Sequence, residues 1–372
     1  MKKRFSVKTI ILTAALSVIL TLGAAALAAW AVLGTSGLAV TAGIAYINTL
    51  FVGEHDRDAT ADAALEAMVD SLGDRWSYYM DAESYAASRL RRNNAYVGIG
   101  ITVTYEADGL HIQAVTEGGP AEEAGLLPGE IIISADGNDL TGPNTAGASY
   151  IQGEEGTSVL LVVLDASGAA REVSVARRQI QSDPVTFELL EGGVGYIALD
   201  NFYRGSAEHV EAAVEQLTGQ GAQSLLFDVR GNPGGYLNEL VELLDYLLPE
   251  GAIFQSGDRS GPKKVTRSDA DCVDLPMAVL VDGDSYSAAE LFAAQLRESV
   301  GAPIVGQPTC GKGYSQQALA LPGGRALNIS TKTYFTGAGV SLIGTGLTPD
   351  VTVERTGEGD AQLEAAARLL RN

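Results

Sequence analysis

Residues 225–235 read LLFDVRGNPGG, an apolar run that ends in a glycine-rich loop. The run 224–229 has the length and composition of a buried β-strand, and a helical pattern follows at 237–248. The alternation of strand and helix continues in both directions along the chain. It predicts a sheet with helices packed on its faces, and therefore an α/β core. The other predicted elements of this core are strand 194–199, helix 207–217, strand 277–281, helix 288–300 and strand 302–305.

The size and composition of the chain indicate a folded, multidomain protein. Its 372 residues exceed one ordinary domain, and 46% apolar with 19% charged residues is typical of chains that bury a core. The formal net charge is -21. Binding to phosphate backbones needs clustered Lys and Arg, which are scattered here, so we expect no nucleic acid partner.

The amino terminus predicts a membrane segment within residues 1–53. Four basic residues lie within the first eight, and no charged residue then appears before Glu54. The apolar stretch 10–33 is long enough for a transmembrane helix, since a hydrocarbon core takes about 20 residues. The basic flank favours the cytoplasmic side, which places the remainder outside the cytoplasm. We expect a retained single-pass anchor in the cell membrane; a cleaved signal peptide and a secreted protein are the alternative.

Two further segments precede the α/β core. Residues 54–95 have helical spacing over 58–72 and 81–91, so we expect a short helical segment there. Residues 96–178 instead show short strands separated by glycine turns, as in a small β module. The predicted strands of this module are 97–104, 110–115, 130–135, 159–164 and 172–176, with a helix starting near Pro120.

The β module carries a series of glycine-centred motifs: YVGIGI at 96–101, GPA at 119–121, AGL at 124–126, PGEII at 128–132 and DG at 136–137. This series resembles a PDZ domain along its whole length. The resemblance implies that backbone N–H groups of a glycine-containing loop face a peptide carboxylate and that the next strand edge pairs with the peptide. A turn-rich β domain without a ligand is the alternative. The implied peptide-binding residues are Val97, Gly98, Ile99, Gly100 and Ile101.

Cysteine and histidine indicate no metal site, and we expect neither a metal nor another cofactor. The cysteines, Cys272 and Cys310, have no CxxC spacing, and the three histidines lie far apart without a HExxH arrangement. No histidine follows His209, so a Ser-His-Asp triad would need a base from a distant part of the chain. The GxSxG elbow is also absent, because Ser287 stands where glycine is required. A lysine base is the remaining option for a serine hydrolase.

Ser287 and Lys312 are the candidate catalytic pair. Ser287 comes directly before the predicted helix 288–300, whose free N–H groups can stabilise a developing anion. Lys312 lies between two glycines after that helix and the next strand. As a base it must be neutral, which requires desolvation to lower its pKa from about 10.4 to about 7–8. The motif GxxxxGK of a phosphate-binding loop also fits residues 306–312, but Gly313 replaces the Ser or Thr that would bind magnesium.

Four motifs around this pair follow one another along the chain: LFDVRGNPGG at 226–235, DSYSAAE at 284–290, GQPTCGKG at 306–313 and GLTPDV at 346–351. Together with the PDZ motifs they resemble the carboxyl-terminal processing peptidases of serine peptidase family S41. The resemblance extends from about residue 58 to the end of the chain. It implies a serine-peptidase core of the S41 type, with a cap, over residues 179–372.

The resemblance to this family implies roles for individual residues. Ser287 matches the nucleophile, Lys312 the general base, and Gln316 the amide that orients the lysine. The implied oxyanion hole consists of backbone N–H groups of Ala288, Gly234 and Gly235.

Several residues fit the family pattern only in part. Glu298, eleven residues after Ser287, stands where some members have a supporting aspartate; it is either a supporting acid or a solvated helix residue. Gln152 stands where members often have a basic residue that couples PDZ binding to activation. The pattern therefore does not decide whether the PDZ domain gates the enzyme or only tethers substrate. We expect Asp228 and Arg230 to form a structural pair and not to be catalysts.

The resemblance implies an extracytoplasmic serine endopeptidase that cleaves exported or misfolded proteins near their carboxyl termini. Its PDZ domain would capture polypeptides with apolar carboxyl termini, and its N-terminal helix would bind the membrane. A non-catalytic peptide-binding scaffold that retains the protease fold is the alternative function. A homo-oligomer is possible, and the sequence does not choose between it and a monomer.

Overall fold

The computed structural model describes residues 7–142, 147–258, 264–355 and 359–371. The chain divides into two compact units, residues 1–79 and residues 80–372. The first unit is mainly helical, and the second contains the PDZ-like module and the α/β core.

The first unit begins with the long helix α1, Val7–Leu50, which is interrupted at Gly34. Gly34 has φ 61°, a conformation that glycine adopts readily and that breaks the helical hydrogen-bond pattern. The apolar part of the helix, Ile11–Leu50, has a mean hydropathy of 2.2 and no buried portion in the described chain. By length and composition it can cross a membrane, which is compatible with an anchor or a signal sequence.

A second helix, α2, spans Arg57–Asp70. The Asp56 carboxylate caps its N-terminus by accepting hydrogen bonds from backbone N–H groups of the first turn. Tyr79 donates a hydrogen bond of 2.6 Å to Asp62 on this helix. The start of strand β1, Tyr78–Met80, is thereby tied to α2.

The first part of the second unit is an antiparallel β module with a two-stranded ribbon. Its elements are α3 Ala82–Arg91, β2 Ala95–Gly98, β3 Ile101–Glu106, β4 Gly109–Val115, α4 Pro120–Glu123, β5 Ile131–Ala135, β6 Asn138–Asp139, α5 Gly147–Ile151, β7 Ser158–Leu164, β8 Ala170–Ala176 and β9 Arg178–Gln181. The main sheet has the order β3-β4-β5-β7-β8, with β6 paired to β5. Strand β2 pairs with β9 instead and forms the ribbon.

The structure corrects one predicted strand of this module, because residues 97–104 form two strands. Gly100 has φ 81°, and Ala121 N–H donates to Ile99 O at 2.8 Å, so the chain turns between β2 and β3. After this turn β3 becomes an edge strand, which among the described strands pairs with β4 alone. An open strand edge is the feature that a peptide needs for strand addition.

The α/β core is built on a mostly parallel sheet of order β10-β11-β12-β15-β16-β19. Only β10 runs antiparallel to its neighbour. Helices α6, α7 and α8 pack on one face and α9 on the other, so every residue of β12 and β15 is buried. The bounds are β10 Val185–Leu190, β11 Val194–Leu199, α6 Ser206–Gly219, β12 Ser224–Asp228, α7 Leu237–Leu247, β15 Met277–Val281, α8 Ala288–Val300, β16 Ile304–Gly306, β19 Val351–Thr352 and α9 Ala361–Leu370.

A second antiparallel sheet, which the sequence patterns did not predict, accompanies the core. Four of its strands are β13 Gly251–Gly257, β14 Lys264–Ser268, β17 Tyr314–Ala320 and β18 Ala326–Phe335. β17 and β18 form a long hairpin around a short 3-10 turn, Pro322–Gly324, and β18 also pairs with β13. This hairpin begins directly after the predicted general base, so it positions the candidate site.

Ion pairs of the largely buried Arg230 side chain fasten α9 to the end of β12. Arg230 donates to Asp228 and, at 2.7 Å, to Asp360, the residue before α9. Arg230 also donates to Gln362 at 2.9 Å. Asp228 and Arg230 therefore form the structural pair that the sequence predicted, and they hold the loop after β12 in place.

Asp360→Asn is expected to lower the free energy of unfolding by about 1 kcal/mol at pH 7, a value kept small because the carboxylate is partly exposed. Hydrogen bonds from Arg230 lower the pKa of Asp360. The carboxylate therefore contributes stability above the pKa of the unfolded chain, near about 4, and this is lost as the pH falls through the lower folded pKa. Urea unfolding at pH 7 and pH 3, followed by circular dichroism, should show a larger difference at pH 7 than at pH 3. Glu364→Gln, on the exposed side of α9, is the control. Equal free energies of unfolding for the two variants at pH 7 would contradict a stabilising role for the Arg230–Asp360 ion pair.

Candidate active site

The candidate site lies where three strands of the core sheet end. Strands β11, β12 and β15 end at Leu199, Asp228 and Val281. The carboxyl ends of neighbouring parallel strands meet at one edge of the sheet, which is the usual position of a binding site in an open α/β fold. The loops that follow these three strands are joined to one another by hydrogen bonds.

Asn232 is fully buried and connects all three loops. Its side-chain amide donates to Leu199 O at 2.7 Å, and its side-chain oxygen accepts from Gly234 N–H at 2.8 Å. Its backbone carbonyl accepts from Tyr286 N–H at 3.1 Å. One buried amide thus fixes the loop of Gly234 against the loop that leads to α8.

Asp282 and Ser285 form a second connection between these loops. The Asp282 carboxylate accepts from Gly231 N–H at 2.9 Å and from Asp284 N–H at 3.0 Å. The buried Ser285 hydroxyl donates to Val229 O at 2.6 Å. Ser285 therefore has a structural role, because its proton is committed to a main-chain carbonyl.

Ser287 is the last residue before α8 and has φ 63° and ψ -117°. A positive φ at a non-glycine residue costs about 1–3 kcal/mol and occurs preferentially at functional sites. A sharp turn of this kind between a strand and a helix is the geometry of a nucleophile elbow. The absence of a GxSxG motif argues against a nucleophile elbow, yet the backbone at Ser287 has the geometry of one.

Gly234 lies directly against the start of α8. A methyl group at Gly234 would be 2.8 Å from Ala288 N, from Ser287 Cβ and from Tyr286 O. The structure thus brings together three of the residues that the sequence assigned to the nucleophile and the oxyanion hole. Ala288 N–H lies at the start of α8 beside Ser287, as an oxyanion donor must, whereas Gly234 N–H donates to Asn232 Oδ1 and is not such a donor.

The loop after β11 packs directly against the backbone of Gly235. A methyl group at Gly235 would be 2.1 Å from Phe202 O, so only glycine fits there. Phe202 N–H donates to Gly234 O at 3.0 Å, and Tyr236 N–H donates to Phe202 O at 2.6 Å. The two glycines are therefore held by main-chain contacts on one side and by α8 on the other.

Gly234→Ala is expected to reduce peptidase activity by at least about 100-fold, because the added methyl would displace the neighbouring Ala288 N–H and loss of one oxyanion donor has an effect of this size. The added methyl would displace either the 234 backbone or Ser287, and alanine is strained at φ 80°. Cleavage of a fluorogenic peptide measures the loss. Gly301→Ala is the matched control, because Gly301 also has positive φ (70°) but a methyl there meets nothing within 4 Å. Similar losses in both variants would show that backbone strain alone is responsible.

Glu290 is a functional candidate that the sequence interpretation missed. Its Oε2 accepts from Ser287 N–H at 3.0 Å and from Lys312 N–H at 2.9 Å. Its Oε1 accepts from the Thr309 hydroxyl at 2.6 Å and from Gly311 N–H at 2.7 Å. This fully buried carboxylate therefore joins the Ser287 segment to the Lys312 segment.

The environment of Glu290 acts on its pKa in two directions. Burial raises the pKa above the usual value for a glutamate, while the hydrogen bonds from Thr309, Gly311, Ser287 and Lys312 oppose that shift. A sequence signal for this residue did exist. The order S-x-x-E at 287–290 is a capping box, in which the glutamate side chain binds the backbone N–H of the residue before the helix.

Lys312 enters the site between two closely packed backbone segments. Its Nζ lies 5.4 Å from the centre of the Tyr286 ring. A methyl group at Gly311 would be 2.9 Å from Gly346 N, and Gly344 N–H donates to Gly311 O at 2.9 Å. The motif that contains Gly346 thus has a structural role, since its backbone packs against Gly311, the residue before Lys312.

The side chains of Gln316 and Glu298 form hydrogen bonds with residues outside the Ser287 loop. Gln316 lies on β17, where its Nε2 donates to Tyr314 O at 2.9 Å and to the Ser330 hydroxyl at 3.1 Å. Glu298 is exposed near the far end of α8, about 16 Å along the helix from Ser287. Its carboxylate accepts from Ala338 N–H at 3.1 Å. The structure therefore does not bring Glu298 to the nucleophile, because eleven residues of helix separate them.

The predicted peptide-binding residues are divided between two elements of the β module. Val97 and Gly98 belong to ribbon strand β2, Ile99 and Gly100 form the turn, and Ile101 begins the edge strand β3. The Ile99 side chain is buried in the module, so this residue can offer a peptide only its backbone.

Arg177 supplies a basic group close to Gln152. The residue precedes β9 and is buried; its Nε donates to Ile151 O at 2.7 Å, and its Nη1 donates to Ser158 O at 3.0 Å. It links the end of α5 to the ribbon that leads to the core. The sequence pattern did not reveal it, since only the fold brings these residues together.

Comparisons with known proteins agree with this architecture. Residues 193–353 match the family model for peptidase family S41, and residues 111–165 match that for the PDZ domain. Carboxy-terminal processing protease CtpA of Bacillus subtilis is 31% identical over 302 residues, which cover 80% of this chain and 65% of that protein. The carboxyl-terminal-processing protease of Synechocystis sp. is 31% identical over 324 residues, covering 82% and 76%.

Solved structures show the same fold. The photosystem II D1 C-terminal processing protease aligns with a TM-score of 0.50 and 27% identity, covering 87% of this chain and 89% of that chain. A putative S41 protease from Bacteroides fragilis aligns with a TM-score of 0.59, covering 87% and 93%, and at 19% identity it supports the fold alone.

A PDZ domain joined to an α/β core with a serine at a helix N-terminus defines a PDZ-containing serine-type peptidase. Within that class, the chain belongs to the carboxy-terminal processing proteases of peptidase family S41. The chain spans 65% of the length of the Bacillus relative.

Proposed function

We propose that the chain is a serine endopeptidase in which Ser287 is the nucleophile and Lys312 the general base. The observation that carries the proposal is the shared Glu290 carboxylate. Its Oε2 accepts from Ser287 N–H and from Lys312 N–H, at 3.0 and 2.9 Å, so the two segments lie side by side. The strained backbone of Ser287 and the family of the chain support the same assignment.

In this mechanism the neutral Lys312 amine takes the Ser287 proton while Oγ attacks the scissile carbonyl carbon. Backbone N–H groups of Ala288 and Gly235 stabilise the oxyanion. The third group that the sequence suggested, Gly234 N–H, instead donates to Asn232 Oδ1. The lysine ammonium then protonates the leaving amine, and water hydrolyses the acyl-enzyme through the same groups.

The lysine must first lose its proton. The face of the Tyr286 ring favours a cation, so the Lys312 ammonium is stabilised where it now lies. Substrate in the cleft excludes water and disfavours the charged form, and the amine then turns toward Ser287. Gln316, which lies on β17 four residues after Lys312, is assigned the role of orienting the amine.

We assign substrates by their carboxyl termini. The open edge of β3 would pair with an extended peptide, and the partly buried Ile101 and Val103 would contact its apolar side chains. The names of the related proteases, which state carboxy-terminal processing, support this substrate class. With α1 as anchor and its basic flank in the cytoplasm, the peptidase would act outside the cytoplasm.

The test uses the full chain in detergent micelles, incubated with unfolded casein and, separately, with a serine-directed fluorophosphonate. We expect casein cleavage together with a covalent label that peptide mapping places on Ser287. A model peptide with an apolar carboxyl terminus should be cleaved faster than the same peptide with an amidated terminus, because the amide lacks the carboxylate that the PDZ domain would bind. Peptide binding without cleavage or labelling would instead favour the non-catalytic scaffold.

A further inference from the structure

Helix α1 is about twice as long as a membrane crossing requires. Its apolar part, Ile11–Leu50, has 40 residues. At a rise of about 1.5 Å per residue they extend about 60 Å, whereas a hydrocarbon core is about 30 Å thick. Tilt does not remove the difference, because this length fits only at a tilt of about 60°, and spanning helices stay below about 40°. Part of the apolar helix therefore lies outside the hydrocarbon core.

The break at Gly34 divides α1 into two segments. Gly34 has φ 61° and ψ -174°, far from helical values, so the chain can change direction there. Residues 11–33, before the break, extend about 35 Å and are sufficient to cross the membrane. The basic residues among the first eight favour this crossing segment, since they hold its start at the cytoplasmic side. Residues 35–51 then follow on the opposite side of the membrane.

Residues 35–51 carry one apolar face, which consists of Val40, Ile44, Ile47 and Phe51. Their spacing of four, three and four residues places them on one side of a helix. Phe51 N–H donates to Ile47 O at 3.2 Å, so Phe51 continues the last turn. Val40, Ile47 and Phe51 are 45–57% exposed in the described chain. Except for Leu38, the opposite face has small or polar side chains. These are Thr35, Ala42, Tyr46 and Thr49.

The surroundings of this face indicate lipid. Residues 35–53 have no charged side chain, and the first charged residue after Lys8 is Glu54. A helix in water would leave the bulky residues of the apolar face in contact with solvent, which is unfavourable. The face instead begins directly after the crossing segment, where the chain is already at the membrane surface. At its other end Asn48 Oδ1 is hydrogen-bonded to His55 Nε2 at 2.9 Å, so polar residues begin there.

We propose that residues 35–51 form an interfacial helix, which lies along the outer membrane surface with its apolar face in the lipid. The break at Gly34 separates this helix from the crossing segment. The inference rests on the proposed anchor and its orientation and does not involve the peptidase chemistry. Since the helix has no Lys or Arg, its contact with the membrane does not require anionic lipids. The chain then leaves the membrane surface at Glu54, so α2 begins close to lipid.

The test uses the full chain with Trp30→Phe, which lowers the background fluorescence, in vesicles of neutral phosphatidylcholine. One tryptophan is added on the apolar face (Ile44→Trp), on the opposite face (Ala42→Trp) or in the middle of the crossing segment (Leu22→Trp). The vesicle lipids carry bromine, which quenches tryptophan fluorescence, either near the headgroup or near the end of the acyl chain. The signal of the Trp30→Phe protein, which retains Trp76, is subtracted.

For Ile44→Trp we expect headgroup bromine to quench at least about twofold more than chain-end bromine, because an interfacial helix enters only the upper part of the lipid layer. Ala42→Trp is the matched control and should be quenched weakly by both lipids. Leu22→Trp should be quenched most by chain-end bromine. High salt should leave this pattern unchanged, since no charged side chain takes part.

Strong quenching of both Ile44→Trp and Ala42→Trp by chain-end bromine would place the segment inside the hydrocarbon core and overturn the inference. Absence of quenching in both would overturn it as well, because the apolar face would then contact water or a second copy of the chain. Equal quenching of the two by headgroup bromine would contradict the assigned face. Weak quenching of Leu22→Trp in both lipids has a different meaning, since it would show that the proposed anchor itself is wrong.

Discussion

Ser287→Ala is expected to abolish peptide-bond hydrolysis, with a fall in kcat of at least about 10⁴-fold. The variant lacks the oxygen that forms the acyl-enzyme, and removal of a serine nucleophile costs this much in enzymes that act through a covalent intermediate. Stability should not change, because alanine at φ 63° is as strained as serine. Cleavage of unfolded casein measures the activity, and circular dichroism melting measures the stability.

A second substitution at this position separates chemistry from strain. Ser287→Gly should be equally inactive, yet more stable by about 1 kcal/mol, because glycine accepts a positive φ without steric cost. Ser299→Ala, on the exposed end of the same helix, should retain full activity. Activity in either Ser287 variant would show that another residue is the nucleophile.

Lys312→Met should have the next largest effect, a loss of at least about 10³-fold in kcat. Methionine keeps the length and apolar stem of lysine and removes the amine that accepts and returns the proton. In the parent enzyme kcat should rise with pH as the ammonium loses its proton, and this rise should be absent from any residual activity of the variant. Initial rates between pH 5 and pH 10 provide the measurement.

The control for this substitution is Lys332→Met, an exposed lysine on β18 in the same antiparallel hairpin. It should keep the activity and the pH profile of the parent. Lys312→Arg is a stricter version of the test, because the guanidinium remains charged and cannot act as a base. A Lys312→Arg enzyme with normal kcat would exclude the lysine as general base.

The α/β core could be predicted because its strands are short apolar runs that end in glycine loops and are separated by amphipathic helices. β12 and β15 are buried on both faces, so their sequences are nearly continuous apolar runs that predict buried strands. The sheet of β13, β14, β17 and β18 escaped prediction for the opposite reason. Strands such as β17 are only partly buried, so neither an apolar run nor a regular alternation marks them.

The candidate site was predictable where chemistry requires a particular residue type. The sequence suggested Ser287, Ala288 and Gly234 together, and the structure places them in contact. The sequence also suggested Lys312. Only the structure, however, shows that Glu290 joins the backbone of Lys312 to that of Ser287. The chemical roles of Ser287 and Lys312 remain predictions until the variants are measured.

The residues that sequence analysis missed contact partners that lie far away in the sequence. Tyr334 reaches Lys312 from another strand, and Arg177 reaches the end of α5 from the start of the ribbon. Neither contact leaves a motif, because its partners are far apart in the chain. For Glu298 the sequence left two alternatives, and the structure agrees with the solvated helix residue, because the helix carries it away from Ser287.

The three-loop construction around Asn232 also bears on how the protein acquires its activity. The connected segments lie between Leu199 and Lys312, so their contacts close long stretches of chain and depend on a parallel sheet, both of which slow folding. The candidate cleft is therefore complete only once these distant segments are in contact. A newly made molecule becomes a protease only at the end of its own folding, so unfinished copies cannot digest one another.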